Sequence, residues 1–165
     1  MKREIERRFL VRDPSWRAGA SSGALYRQAY LHAEPGCTIR IRQMQEPEGR
    51  RAWLTIKGRT EGLTRDEFEY LIPAAEGERL FAMATAGQVE KRRYTLEMGG
   101  CRWEIDVFEG DNAGLVLAEI ELESEDQDFP RPDWLGEEVT HDARYANASL
   151  ASRPYNRWKL RGESA

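Results

Sequence analysis

Charged and apolar side chains alternate at a period of two along most of this chain. In EIERRFLV, residues 4 to 11, an extended backbone puts Glu4, Glu6 and Arg8 on one face, with Ile5, Arg7, Phe9 and Val11 on the other. One such segment needs no function, because an antiparallel strand commonly wets one face and packs the other. The pattern recurs, however. CTIRIRQM sets Arg40 and Arg42 against Ile39 and Ile41, and WLTIKGR sets Lys57 and Arg59 against Leu54 and Ile56. TRDEFEYLI sets Arg65, Glu67 and Glu69 against Phe68, Tyr70 and Ile72, while QVEKRRYTL aligns Lys91 and Arg93. WEID and AEIELE set Glu104 and Asp106, then Glu119, Glu121 and Glu123, against Trp103, Ile105, Ile120 and Leu122.

The strand-like segments fall at 3–11, 25–33, 37–44, 51–58, 64–72, 88–97, 101–109 and 115–124, and this number and length suit a closed barrel. EPEG, MGG and EGDNAG punctuate them as antiparallel hairpins do. Pro73 opens a helix whose Leu80, Phe81 and Met83 share a face, and Asp142 can cap a second over ARYANASLAS, with Tyr145 and Leu150 free to pack. The expected fold is α+β: an eight-stranded antiparallel β-barrel, or tunnel, with helices packed outside. One domain spans 1–151, followed by a tail over 152–165 whose end, RGESA, frays.

Two topologies remain. Charged faces turned to solvent would leave an apolar lumen for a greasy ligand. Charge turned inward is favoured by segregation: basic pairs and acidic sets occupy different strands, whereas solvated faces mix signs and include Ser, Thr, Asn and Gln. Burying ions costs several kcal/mol each unless they are paired or wet, so such an interior is a water-filled tunnel holding a charged ligand. Arg40, Arg42, Lys57, Arg59, Lys91 and Arg93 suit a polyanion, since guanidinium forks bind phosphate oxygens bidentately and lysine adds a point charge. Carboxylates two residues apart on one strand, as Glu4 and Glu6 are, can lean toward one hard cation. A metal-bound polyphosphate satisfies both signs.

Composition excludes other partners. The net charge of −4 is interspersed, so neither nucleic acid nor an acidic membrane surface is served, and no apolar run approaches the ~20 residues needed to span a bilayer. Cys37 and Cys101 lack metal-ligand spacing and the chain begins without a secretory apolar segment, which together predict a reduced, cytoplasmic protein; a homodimer is compatible with the chain. His32 and His141 are isolated, and Trp53, Trp103, Trp134 and Trp158 read as packing under outer helices. Arg7, Arg27 and Arg92 have outward parity, and Glu123 divides evenly between tunnel and rim.

Taken in order, these motifs resemble the CYTH superfamily, the triphosphate tunnel metalloenzymes, and within it the small bacterial inorganic triphosphatases. Its ExExK signature stands here as Glu4-Ile5-Glu6-Arg7-Arg8, followed by RQAYL, IRIR, LTIKG, TRDEFEY, EKRRY, WEIDVF, AEIELE and WLGEEVTHDARYANASLA. The resemblance implies hydrolysis of tripolyphosphate or another triphosphate with Mg²⁺ or Mn²⁺. It implies that Glu4, Glu6 and Glu121 hold a metal, with Glu119 helping to place a second. Arg40, Arg42, Lys57, Lys91 and Arg93 would grip the phosphates, Tyr30 would line the mouth, and Glu67, Glu69 and Asp106 would order water. Arg8 replaces the signature lysine beside the scissile phosphate, and Ala29 replaces a glycine. Arginine keeps the charge but cannot give up its proton, so a non-catalytic binder of polyphosphate or nucleotide is the alternative. An enzyme acting on thiamine triphosphate, or cyclising ATP, is another.

Overall fold

The structure is a computed structural model that describes residues 1–159. Eight strands, β1 (Lys2–Val11), β2 (Ala24–Glu34), β3 (Cys37–Glu46), β4 (Gly49–Gly58), β5 (Thr64–Ile72), β6 (Gln88–Met98), β7 (Cys101–Phe108) and β8 (Val116–Glu121), pair antiparallel in the order β5-β4-β3-β2-β6-β7-β8-β1. Pairing of β1 with β5, which sets Lys2 opposite Glu67 and Glu4 opposite Arg65, closes the circle. The expected barrel therefore forms. One of its two-residue hairpins follows directly from sequence: Met98 pairs with Cys101, and Gly99 and Gly100 make the turn at φ 59° and 76°, which side chains with a Cβ resist.

A short ninth strand, β9 (Leu135–Glu138), was not anticipated. It pairs with Phe9 and Val11 of β1, past the point where β5 stops, on the edge that β8 does not use. The chain then runs along β1, where the Arg8 N–H donates to Thr140 Oγ1 and the Val139 N–H donates to the Arg8 carbonyl.

The apolar halves of the strands face outward and are covered over most of the barrel, β5 excepted, where Tyr70 is 54% exposed. Phe9, Trp103, Ile105 and Ile120 form one cluster with Trp16, Trp134 and Phe129, in which Trp103 is fully buried and meets Phe9 and Trp134 edge-on at 5.9 and 5.4 Å. Helix α1 (Ala74–Met83) lies over β2, β3 and β4, seating Leu80 and Phe81 on Ala29, Ile41 and Leu54. Buried Gly77 permits that approach, because a Cβ there would collide with Ala52. Met83, expected on the same face, is instead 67% exposed, because at about 100° per residue it falls off the face that Gly77, Leu80, Phe81 and Ala84 share.

The second expected helix is broken. A 3₁₀ turn, Ala143–Tyr145, is capped by the Asp142 carboxylate, which accepts from the Arg144 N–H, and leads into α2 (Asn147–Ser152). A further helix, α3 (Tyr155–Lys159), lies within the segment read as a tail, and its Trp158 is buried. Tyr145, Leu150 and Trp158 pack with Val89, Phe108, Leu117 and Val139. RGESA lies outside the described residues. Among the described residues no helix is long and apolar enough to cross a membrane.

Candidate active site

Antiparallel partners point to the same side of a sheet, so register decides what shares the lumen. Arg8 opposes Glu119, Glu6 opposes Glu121, Arg93 opposes Asp106 and Lys57 opposes Glu67. Charge is therefore inside. The result is a cavity of about 740 Å³ whose wall carries both signs. Glu4, Glu6, Arg8, Tyr30, Arg40, Arg42, Lys57, Glu67, Glu69, Lys91, Arg93, Glu119 and Glu121 all line it.

Two expected residues differ. Arg59 is exposed outside the cavity, because β4 ends at Gly58 and the alternation that placed Lys57 inward no longer governs the next position. Asp106 is wholly buried behind the wall: its oxygens accept from Lys91 at 2.6 Å and from Arg93 at 2.7 and 2.8 Å. Those bonds leave it a holder of the two cations and withdraw it from any water in the lumen. Trp53, read as packing, shares inward parity with Thr55 and Lys57, and its ring lies 4.8 and 4.9 Å from the guanidiniums of Arg42 and Arg51. Glu123 lies beyond the end of β8 and is exposed, which puts it on the rim.

Other lining residues lie outside the expected set. Arg65 and Glu104 carried the inward parity and are in the wall, as is Lys2, whose ammonium pairs with Glu121 at 2.5 Å. Thr140, His141 and Asn147 also line the cavity. They come from the segment after β9, where no strand alternation exists to announce them.

Each lumen carboxylate is met by a cation. Lys57 Nζ donates to both oxygens of Glu4 at 3.0 Å, and Arg65 Nε donates to one at 2.8 Å. Burial pushes the Glu4 carboxyl up, but Lys57 and Arg65 outweigh it and hold it down at about 2. Arg8 bridges Glu6 at 2.9 Å and Glu119 at 3.3 Å. Arg42 pairs with Glu69 at 3.1 Å, and Arg93 with Glu104 at 2.5 Å. Burial lowers Lys91 to about 8 despite the pull of Asp106. The Nε donors of Arg40 and Arg42 are buried with no hydrogen-bond partner, which is costly unless an acceptor arrives.

Glu6 is the exception among the acids. Burial, then the negative charge of Glu119 and Glu4, pushes its carboxyl up to about 8, with Arg8 only partly offsetting them. Such crowding of carboxylate oxygens is what a hard divalent cation relieves, so the donors at Glu4, Glu6, Glu119 and Glu121 fit one chemically. Among the described residues no three acids, imidazoles or thiols already converge as a ligand cluster. The ion pairs explain why: Lys57, Arg65, Arg8 and Lys2 occupy the oxygens.

Comparison with known proteins agrees with this geometry. The CYTH domain model matches residues 2–155. An inorganic triphosphatase of Acetivibrio thermocellus is 39% identical over 160 residues, covering 96% of this chain and 99% of the relative. One of Nitrosomonas europaea is 40% identical over 151 residues, covering 90% and 96%. A crystal structure of an inorganic triphosphatase superposes with a TM-score of 0.63 at 36% identity, covering 92% of this chain and 96% of its own. With the family pattern running from β1 into α3 and the charged lumen closed as that pattern requires, the chain belongs to the CYTH domain family.

Proposed function

We propose that this protein hydrolyses inorganic tripolyphosphate, or a closely related triphosphate, inside the tunnel, with Mg²⁺ or Mn²⁺ held by Glu4, Glu6, Glu119 and Glu121. The observation that carries the reading is the convergence of two opposed charge sets on one lumen of about 740 Å³. The resemblance to two inorganic triphosphatases along nearly the whole chain supports it.

In this reading Arg40, Arg42, Lys91 and Arg93 receive the phosphate chain, and the orphaned Nε donors of Arg40 and Arg42 find acceptors. Lys57 sits between Glu4 and Glu67, 3.0 Å from each, and turns to phosphate once those carboxylates have another partner. Asp106 fixes the direction of Lys91 and Arg93 from behind the wall. When bound, the cation polarises the phosphoryl oxygens and supplies positive charge where negative charge builds up. Glu67 and Glu69 orient a water for in-line attack on the terminal phosphorus, the bridging P–O bond breaks, and orthophosphate and pyrophosphate leave. Catalysis is electrostatic positioning for the most part. Arg8, wedged between Glu6 and Glu119, contributes charge and geometry and transfers no proton.

The test is orthophosphate release from tripolyphosphate with Mg²⁺ or Mn²⁺, run alongside thiamine triphosphate and ATP. Release that is fastest with tripolyphosphate and lost in the Glu4→Gln/Glu6→Gln variant supports the reading. Arg8 favours one second reading, a binder without turnover, because its guanidinium already engages both neighbouring carboxylates. Calorimetric binding of tripolyphosphate with no release of orthophosphate would select it.

A further inference from the structure

Lys91 holds its place through two bonds from different parts of the fold. Its Nζ donates to Asp106 Oδ2 at 2.6 Å, within the β6–β7 wall, and to Asn147 Oδ1 at 3.0 Å, on the first residue of α2. The side chain is 1% exposed and its ammonium lies 5.5 Å from the Phe108 ring. An ammonium has three donors. Two are taken up by Asp106 and Asn147, one remains, and Lys91 lines the cavity.

Asn147 stands on an anchored helix. It lines the cavity, while three residues on Leu150 is fully buried in the apolar cluster with Tyr145 and Trp158. Lysine has only donors to offer, so the amide must turn its carbonyl to Lys91. A neutral acceptor differs from a second carboxylate in one respect: it orients the amine without cancelling its charge. The single charge of Asp106 is already divided between Lys91 and Arg93.

We propose that Asn147 is a positioning residue for triphosphate binding, a neutral acceptor that fixes Lys91 at the tunnel wall and leaves its charge for the phosphate chain. This rests on the reading above that Lys91 binds phosphate. It also gives the segment after β9 a part in ligand binding that none of the strands supplies.

The experiment measures tripolyphosphate binding by calorimetry without metal, and KM and kcat with metal, for wild type, Asn147→Ala, Asn147→Asp and Lys91→Ala. Losing a hydrogen bond to a charged group predicts binding weakened about tenfold in Asn147→Ala. Asn147→Asp binds more weakly still, with the loss mainly in KM, because its carboxylate competes with phosphate for the same amine. A structural role predicts the opposite order: aspartate is nearly isosteric and favourable at a helix start, so the melting temperature of Asn147→Asp should equal or exceed that of Asn147→Ala. Asn147→Asp binding as tightly as wild type, or both variants weakening in proportion to lost thermal stability, would overturn the proposal. Weakened binding by Lys91→Ala with both Asn147 variants intact overturns this inference alone. Unchanged binding by Lys91→Ala overturns the phosphate-binding reading on which it stands.

Discussion

Lys57 Nζ lies 3.0 Å from both carboxylate oxygens of Glu4, across the seam where β1, β5 and β4 meet. The same ammonium reaches Glu67 at 3.0 Å, so the base proposed to grip phosphate is tied to the acid proposed to hold metal and to the acid proposed to orient water. The tunnel neutralises itself in this way. On the proposed function, phosphate and cation arriving together would let Glu4 exchange Lys57 for metal and Lys57 exchange Glu4 for phosphate.

Glu4→Gln is expected to abolish turnover and to lower stability. Glu4 is held at about 2, below its ordinary 4.5, so it stabilises the fold above 4.5, and that contribution disappears as pH falls from 4.5 through 2. Breaking a buried pair on one side costs about 3 kcal/mol, softened here because Lys57 retains Glu67. Denaturant unfolding at pH 7 and at pH 3 checks this. The difference between variant and wild type should shrink at the lower pH.

Glu6 carries the opposite sign. Its folded value of about 8 exceeds 4.5, so the folded chain binds more protons than the unfolded one between those values, and Glu6 makes stability fall as pH rises through that window. Glu6→Gln should therefore unfold at a higher temperature than wild type at pH 8 and lose that advantage near pH 4.5, although it is inactive. A melting series over that range measures the slope.

Arg8→Lys is expected to retain hydrolysis within about tenfold, and Arg8→Ala to lose about a hundredfold or more, if the group acts by charge. A single ammonium cannot span Glu6 and Glu119 as the guanidinium fork does, so Arg8→Lys should alter metal requirement more than substrate affinity. Titration of activity with Mn²⁺ separates the two.

Arg59→Ala should match wild type within about twofold, as surface changes usually do, whereas Arg65→Ala should lose activity because it frees an oxygen of Glu4 from its 2.8 Å partner. Steady-state assays of the two variants side by side decide between lumen and exterior for each.

Period-two alternation was enough to predict the barrel and most of its lumen, because a residue's parity on a paired strand is fixed by pleat geometry. It failed where the strand stopped, at Arg59, which follows Gly58, the last residue of β4, and it left Glu123, past the end of β8, undecided between tunnel and rim. Arg65 and Glu104 had the right parity and lie within TRDEFEY and WEIDVF, but the resemblance gave them no role. Parity also placed Trp53 inward, against the expectation that a large aromatic is core. Strand β9 was illegible because LGEE does not alternate; it forms because β1 offers an unpaired edge beyond β5. Asn147 and Thr140 reach the lumen through tertiary packing of Tyr145 and Leu150, which no local pattern encodes.

Orthophosphate release from tripolyphosphate in the presence of Mg²⁺ or Mn²⁺, by wild type and by Glu4→Gln/Glu6→Gln, bears most directly on the account. A metal-dependent release by wild type that falls to background in the double variant is the predicted result. Equal release by both proteins, or none by wild type at any metal concentration, would contradict it.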